Sequence, residues 1–481
     1  MKIGIDFGTS YSAAAALVDG EVRTIRFGDE RQFRTTVYFP EAVPDPSQFE
    51  LTDALEAEVE AQVRNARTQQ TRAINEAQAR REHAARLPAE QREAALAMIP
   101  TPAQRSEQDL RRDAVRAVRR QWLELQVREA RASAASLQNA VYGEEAVEAY
   151  LSEGFGNLVQ SPKSMLGYQL APHVRQTIVG IAGYILEHIR LTAGQQLGAN
   201  VRRAVLGRPV QFRSSLGAAG GDQALEIMTE AAASAGFDEV SFLEEPVAAA
   251  LGYHAQSADR HRTLVVDIGG GTTDITLAEV GGPQPPVVLG SWGIARGGVD
   301  VDLSLSLSRF MPLFGKGRTR VPAHHYVEAA TVHDVVRQRE FQRRDSYREV
   351  DAPFGSRLIS LQQAGNTTRL SRAVESTKIQ LSTQGDSQAT LDYIERDLGL
   401  ASTADDLARA ADPFLGNLAE LLREVGAEIG EAPAAVFLTG GMSRAPYVRE
   451  TVRQCFPNAR QVAGDASLGV VSGLAFAAAR G

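Results

Sequence analysis

The chain has 481 residues, of which 43% are hydrophobic, and this length suggests two or more domains with large cores. Its formal net charge of −8 and pI of about 5.7 argue against a general affinity for nucleic acid or anionic membranes, because such partners attract basic surfaces. The single cysteine, Cys455, excludes an intrachain disulfide and fits a reducing compartment. No signal-peptide pattern begins the chain, and the best apolar run, "IVGIAGYIL", is about half a membrane span. We therefore expect a cytoplasmic protein.

The first forty residues predict antiparallel strands. The runs "KIGIDFG", "SAAAALVDG" and "VRTIRFG" are short, apolar or alternating, and end at Gly8, Gly20 and Gly28. From Asp29 to Tyr142 there is no glycine, and Ala, Glu, Gln and Arg, all helix formers, dominate much of the sequence. This change in composition predicts a long helical insertion at about residues 50–141.

Prolines divide the predicted insertion. Pro88, Pro100 and Pro102 would break it into at least two helices, the second from about Ser106 to Ala135, and a helical hairpin is the simplest outcome. Interleaved acidic and basic residues argue against a nucleic-acid-binding arm. Two interpretations remain open, namely a solvated helical excursion and a docking arm for an unidentified protein partner.

After Tyr142 the sequence alternates between helical and strand patterns. Helices near His173–Ala199 and Gln223–Gly236 precede the strands "RRAVLGRPV" and "EVSFLEEP". The second half begins with a strand at Leu264, continues with hairpin-like strands, and becomes helical from Val301 to Ser382. Each half thus places its strands first and its helices after them, which indicates an internal duplication of architecture.

Each half also carries one turn in which an Asp, glycines and hydroxyls follow a strand. The turns are "GIDFGTSYS" and "VVDIGGGTTDI". Glycine lets backbone N–H groups approach a phosphate, and hydroxyls add hydrogen bonds, while Asp6 and Asp267 could orient the water shell of Mg²⁺. One such turn is usually only a hairpin, but two with matching offsets predict a phosphate clamp. Its predicted phosphate-binding residues are Gly8, Thr9, Ser10, Tyr11, Gly269, Gly270, Gly271, Thr272 and Thr273.

Neither turn matches the GxxxxGK[ST] or GxGxxG patterns, which disfavours those nucleotide-binding folds. The chain instead resembles the superfamily of actin, sugar kinases and heat-shock ATPases. Within it, "IGIDFGTSYSAAAAL", "VVDIGGGTTDITL", "FLEEPVAAALGY" and "VFLTGGMSRAPYV" are similar, in this order, to the four motifs of the DnaK-type chaperone ATPase. The resemblance implies a two-lobed α/β actin-like ATPase with a duplicated ribonuclease-H-like fold. The lobes would be 1–258, including the insertion, and 259–481, with a helical subdomain at about 299–412.

The resemblance also implies roles around the phosphates of ATP. Asp6 and Asp267 would organise a hydrated Mg²⁺, with K⁺ as a further candidate cation. Asp274 and Glu245 would complete an acidic ring around the γ-phosphate. "SPKSMLGYQL" is similar to the segment with the catalytic lysine, which would be Lys163. Read without the resemblance, Lys163 is a surface cation and Glu245 a charge at a helix start.

For the nucleoside, the resemblance places Glu375 and Lys378 at the ribose, Ser382 at the base and Arg444 against the adenine face. Further ATP-binding residues would be Gly297, Gly298, Gly440 and Gly441. Two positions depart from the family pattern. Ile379 replaces a second arginine and Met442 replaces a serine, so we expect weaker or less selective adenine binding, since an arginine stacked on adenine contributes about 1 kcal/mol or more.

The expected function is a slowly ATP-hydrolysing, DnaK-like conformational switch. Because the chain stops at Gly481, directly after the closing helix of the ATPase, we expect no peptide-binding domain, as in the stand-alone YegD-type proteins. Three alternatives remain: a small-molecule kinase of the sugar-kinase type, a nucleotide-sensing scaffold without catalysis, and an actin-like polymer. The expected ligands are ATP and ADP.

Overall fold

The structure is a computed structural model that describes residues 1–40, 49–88, 91–92, 96, 99, 105–132, 140–154, 156–464 and 468–480. The chain divides into two units, one formed by Met1–Phe39 with Ala140–Gly481 and the other by Pro40–Asn139. None of the helices in these described residues is long and apolar enough to cross a membrane. The cysteine, Cys455, is a free thiol.

The strands all belong to the first unit. In chain order they are β1 (Lys2–Phe7), β2 (Tyr11–Val18), β3 (Glu21–Thr24), β4 (Phe33–Arg34), β5 (Thr36–Phe39), β6 (Val141–Tyr142), β7 (Asn157–Gln160), β8 (Arg203–Arg208), β9 (Glu239–Glu244), β10 (His261–Ile268), β11 (Thr273–Val280), β12 (Val287–Ile294), β13 (Asp386–Thr390), β14 (Gly399–Thr403), β15 (Ala435–Thr439) and β16 (Arg460–Ala463).

The α-helices occur in both units. In chain order they are α1 (Asp53–Ala85), α2 (Glu107–Ala132), α3 (Gly143–Glu153), α4 (Pro172–Leu197), α5 (Ala218–Ser234), α6 (Glu245–His254), α7 (Gly298–Leu305), α8 (Ala323–Ala330), α9 (Val335–Gln342), α10 (Phe354–Leu361), α11 (Asn366–Leu381), α12 (Ala404–Glu428), α13 (Pro446–Cys455) and α14 (Gly469–Arg480). Short 3₁₀ turns cover Pro162–Met165, Met311–Phe314, Ser346–Glu349 and Gly441–Arg444, and a π-helical turn covers Ser306–Phe310.

Two mixed sheets organise the first unit, and they share one strand order. The first sheet runs β3-β2-β1-β8-β9, with β4 beside β2, and the second runs β12-β11-β10-β15-β16. In both sheets the first three strands are antiparallel and the remaining pairs are parallel. The two glycine turns, between β1 and β2 and between β10 and β11, therefore occupy equivalent positions. The predicted hairpins at both turns are confirmed.

Each sheet packs one face against helices. Ile3 and Ile5 of β1 are buried in one cluster with Ile185 and Ile189 of α4, which repeat at the four-residue spacing of a helix face. In the second sheet, Leu264 and Val266 of β10 share a core with residues of α12. Removing this apolar area from water is the main stabilising term, about 25 cal/mol per Å².

Helices α6 and α14 cross at a contact made by glycines. A Cβ atom placed on Gly473 would lie 1.6 Å from the Ala248 carbonyl oxygen, and one on Gly252 would lie 2.9 Å from the Gly469 carbonyl oxygen. Helix α14 also packs on the first sheet, because a Cβ atom on Gly4 would lie 2.5 Å from the Ala475 nitrogen. Helix α6 shares a buried cluster with residues of β10 and β11. This pair of helices therefore joins the two sheets.

The second unit is built from α1 and α2, as the composition of the insertion predicts. Val59 of α1 is buried against Ala114 and Val118 of α2, and the rings of Phe49 and Trp122 meet edge to face at 5.5 Å. Most other side chains of residues 53–85 and 107–122 are polar and exposed. The predicted breaks at Pro100 and Pro102 and the predicted helix end at Ala135 lie outside the described residues.

Candidate functional site

The two glycine turns face each other. A Cβ atom on Gly270 would lie 2.3 Å from Ser10 Oγ, and one on Gly271 would lie 2.7 Å from Thr9 Oγ1. These distances are shorter than any ordinary van der Waals contact, so a side chain at either position would displace the hydroxyl that faces it. Gly8 is equally constrained within its own turn, because its Cβ atom would lie 2.1 Å from the Tyr11 carbonyl oxygen. The structure thus brings the two predicted phosphate-binding segments together.

The hydroxyls of the second turn already have protein partners. Thr273 is buried and its Oγ1 donates to the Arg296 carbonyl oxygen at 2.9 Å. The Thr272 hydroxyl bonds to the Asp274 carboxylate. In this conformation both threonines hold the turn in shape, and the turn itself is closed by a bond of 3.0 Å from the Gly269 amide to the Thr272 carbonyl oxygen.

Gly297 and Gly298 pack against the same turn. The amides of Gly298 and Val299, at the start of α7, donate to the carbonyl oxygens of Gly269 and Gly270 at 3.0 and 2.9 Å. A Cβ atom on Gly297 would lie 2.7 Å from each of these carbonyl oxygens. The two glycines therefore lie beside the predicted phosphate site, although the Gly298 amide is already used inside the protein.

Four carboxylates surround Lys163 at the carboxyl ends of the strands. Lys163 lies in the Pro162–Met165 turn and its Nζ donates to Glu245 Oε1 at 2.5 Å, with both side chains about nine-tenths buried. Asp267 and Asp274 are directly opposite each other in the β10–β11 pair. Asp274 Oδ1 accepts the Val210 amide at 2.6 Å. Together with Asp6, these carboxylates and Lys163 come from four distant segments of the chain, and carboxyl strand ends are the usual ligand edge of such sheets.

Burial and mutual repulsion perturb the carboxylates. Burial and the charge of Glu245 raise the pKa of Asp6 to about 7, and the same two causes raise the pKa of Asp274 to about 7. Burial, followed by Glu245 and Asp274, raises the pKa of Asp267 well above its usual range. Burial lowers the pKa of Lys163, but attraction to Glu245 and Asp6 outweighs it, so the net change is upward. One lysine does not compensate four carboxylates, and the cluster attracts a further cation.

Mg²⁺ fits this cluster when it keeps its water. Within the described ranges no three Asp, Glu, His or Cys side chains are arranged to bind a metal ion directly. Mg²⁺ gives up its waters reluctantly and is often held by one or two carboxylates together with substrate phosphates. Asp6 and Asp267, each at the end of the first strand of its hairpin, are the residues that suit this role.

The residues predicted to bind the ribose lie on α11 and are engaged in ion pairs. Glu375 Oε2 accepts from Arg34 Nη2 at 2.9 Å, and Lys378 Nζ donates to Asp302 Oδ2 at 2.8 Å. Ser382 follows α11, and its Oγ donates to the Lys378 carbonyl oxygen at 2.8 Å. Asp302 ends the segment "ARGGVDVD" that contains Gly297 and Gly298, but neither it nor Arg34 was predicted to contact the site.

The glycines after β15 connect the predicted adenosine site to the carboxylates. Gly440 has a φ of 80°, and its Cβ atom would lie 2.5 Å from Asp267 Oδ1. Gly441 begins a 3₁₀ turn that ends at Arg444, whose side chain is exposed. Met442 is buried in the core of the second sheet, and a Cβ atom on Gly298 would lie 3.1 Å from its Cγ. Met442 is therefore a packing residue.

Two comparisons with known proteins found similarity to parts of this chain. Residues 159–316 match the family model described as Hsp70 protein. The chain is also 28% identical, over 291 residues, to the chaperone protein DnaK of Anaplasma marginale (strain St. Maries). The matched region is 58% of this chain and only 38% of that protein, so this chain spans well under half of its relative's length. Together the family match and the similarity to DnaK support an Hsp70/DnaK-type ATPase domain in this chain.

Proposed function

We propose that the chain binds Mg²⁺·ATP between its two glycine turns and slowly hydrolyses it to ADP and phosphate, as a chaperone-family ATPase of the DnaK type. The observation that carries this proposal is the cluster of one lysine and four carboxylates beside two turns that touch each other. Such a cluster is electrostatically unfavourable when empty and becomes favourable when a cation and phosphates fill it. The relationship to Hsp70 proteins, which implies nucleotide binding with a metal ion, supports the same reading.

In this proposal each residue has a defined task. Asp6 and Asp267 hold the water shell of Mg²⁺, which, when bound, neutralises charge on the phosphate oxygens. Lys163, fixed by Glu245, presents a positive charge to the γ-phosphate, where charge develops during phosphoryl transfer. Asp274 and Glu245 complete the acidic ring beside the attacking water. The amides of the glycine turns complement the phosphate oxygens.

We also propose that nucleotide binding changes the relative position of the two sheets, so that the domain acts as a switch. Their common strand order and directions support a duplicated ribonuclease-H-like origin, with lobes at 1–258 and 259–481. The protein would act in the cytoplasm. The helical insertion is the candidate docking arm for a protein partner. A pull-down that compares the whole chain with a form lacking residues 51–140 tests that assignment, and unchanged partners would refute it.

The proposal is tested by nucleotide binding and turnover. Isothermal titration should show Mg²⁺-dependent ATP binding to the wild type and its loss in Asp6→Ala and Asp267→Ala. Lys163→Ala should still bind ATP but turn it over roughly 10²–10³-fold more slowly, the usual cost of removing one transition-state charge partner. If the wild type neither binds nor hydrolyses ATP, the proposal is wrong. If Lys163→Ala turns over normally, only the catalytic role of Lys163 is wrong.

A nucleotide-binding scaffold without catalysis is the second candidate, and the exposed Ile379 favours it. This side chain is 59% exposed on α11, at the position where the family carries a second arginine. ATP binding without phosphate release in the same titration and turnover assays would select this candidate.

A further inference from the structure

Two ion pairs hold the side chains that are proposed to contact the ribose. Arg34 pairs with Glu375, and Asp302 pairs with Lys378. The paired residues are far apart in sequence, and each pair joins α11 to another element. Neither Arg34 nor Asp302 has a role in the site as described so far.

We propose that Arg34 and Asp302 are positioning residues for Glu375 and Lys378, and that the protein selects its nucleotide through the ribose more than through the base. This inference rests on the proposed binding of ATP. It assigns the selectivity of that site to two residues that have no role in the predicted site.

Asp302 restrains a side chain that is otherwise flexible. Lys378 is about nine-tenths buried, and its Nζ donates one bond to Asp302 Oδ2 at 2.8 Å. An ammonium carries three N–H donors, so two remain available for hydroxyl oxygens of a sugar. A lysine without a partner would have to lose its rotamer freedom on binding, and the ion pair removes much of this loss in advance.

Arg34 connects the ribose side of the site to the first glycine turn. Its Nη2 donates to Glu375 Oε2 at 2.9 Å and to the Tyr11 hydroxyl at 3.2 Å, and its Nε donates to Glu144 Oε2 at 3.1 Å. The guanidinium also lies 5.2 Å from the centre of the Tyr11 ring. The planar donor fork of arginine can serve these acceptors together, whereas a lysine could not. Glu375 is thereby held relative to the residues proposed to bind phosphate.

The base side of the site offers little that could distinguish one base from another. Ile379 presents an exposed apolar side chain that any base can contact. The proton of the Ser382 hydroxyl is already donated to the Lys378 carbonyl oxygen at 2.8 Å. Met442 is buried in the core. A site rejects a nucleotide with the wrong base only when it has hydrogen-bonding groups dedicated to the right base. It rejects a nucleotide that lacks a ribose hydroxyl when the lost hydroxyl leaves polar groups of the protein unpaired. The second condition is met here by the buried ammonium of Lys378, because its bond to Asp302 uses only one of its three N–H donors.

The first test measures dissociation constants of the wild type for Mg²⁺ complexes of ATP, 2′-deoxy-ATP, 3′-deoxy-ATP and GTP. We expect at least one deoxynucleotide to bind about tenfold more weakly than ATP, a difference of about 1.4 kcal/mol. We expect GTP to bind within about threefold of ATP. If GTP is rejected more strongly than both deoxynucleotides, the inference is overturned.

The second test uses Asp302→Asn and Arg34→Gln, with Asp412→Asn and Arg23→Gln as controls at exposed positions away from the site. Each test variant should lose about tenfold in ATP affinity and most of its preference for ATP over the deoxynucleotides. Affinity for inorganic tripolyphosphate, which has no ribose, should stay within about twofold of the wild type. Asp302→Glu, which keeps the charge, should recover part of the preference.

The outcomes separate this inference from the proposed function. A wild type that binds no nucleotide refutes both. A wild type that binds ATP and the two deoxynucleotides equally refutes only the ribose selectivity. If Asp302→Asn loses tripolyphosphate affinity together with ATP affinity, Asp302 has a general structural role and the positioning role is wrong. Circular dichroism of every variant establishes that it is folded before its affinities are compared.

Discussion

Replacing Asp274 by asparagine should make the empty protein more stable. In the folded state burial and the neighbouring Glu245 raise the pKa of Asp274 from 3.8 to about 7. The folded protein therefore binds this proton more tightly than the unfolded chain, and ionisation of the carboxylate costs stability. The cost begins as the pH rises above about 4 and is complete above about 7. Asparagine is neutral at every pH and avoids it.

The magnitude follows from the two pKa values. A difference between 3.8 and about 7 corresponds to about 4 kcal/mol of differential interaction. The amide oxygen of asparagine can still accept the Val210 amide, which lies 2.6 Å from Asp274 Oδ1. We expect Asp274→Asn to exceed the wild type in free energy of unfolding by up to about 4 kcal/mol at pH 8 and by little near pH 4.

Urea denaturation at pH 5, 6, 7 and 8, with EDTA and without nucleotide, measures this difference. Asp412→Asn, on an exposed part of α12, is the control and should stay within about 0.5 kcal/mol of the wild type at each pH. A gain that is the same at pH 5 and pH 8, or no gain at pH 8, would contradict the reasoning. A rising gain would show that the site is maintained at the expense of stability.

Three further predictions concern separate parts of the molecule. Gly473→Ala should lower the free energy of unfolding by about 3 kcal/mol or more, because its Cβ would lie 1.6 Å from the Ala248 carbonyl oxygen. The control Gly416→Ala has open space around it and should be neutral or stabilising by up to about 1 kcal/mol. Urea denaturation of both variants measures the two changes, and equal stabilities would contradict the prediction. Burial lowers the pKa of His333 to about 4, so the unfolded chain takes up this proton before the folded protein does as the pH falls. Between about pH 6.5 and pH 4 the wild type should therefore lose up to about 3 kcal/mol more stability than His333→Gln. Equal losses in the two proteins would refute this prediction. The chain has only four lysines, so acetic anhydride labelling mapped by mass spectrometry should show protection of Lys163 by Mg²⁺·ATP, and unchanged labelling would place the ligand elsewhere.

The hairpins and the helical insertion could be predicted because their signals are local. Apolar strands that end at glycines define the surroundings of Asp6 and Asp267, and the alanine-rich, glycine-free composition defines α1 and α2. The pairing of Arg34 with Glu375 could not be predicted, because it joins residues 341 positions apart and depends on how the sheets pack. Met442 illustrates the same limit. Compared with the family motif, Met442 replaces a serine and so loses a polar contact. In the structure, its side chain fills the space beside Gly298.

The crossing of α6 and α14 has a mechanical consequence. Backbone meets backbone at this point, because Gly473 lies against the Ala248 carbonyl oxygen and Gly252 lies against the Gly469 carbonyl oxygen. Sliding one helix along the other would drive the Gly473 backbone into the Ala248 carbonyl, while turning about the point of contact leaves that distance nearly unchanged. In the proposed switch the crossing would serve as the pivot. A small rotation at the glycines would then become a larger opening or closing at the far ends of the strands.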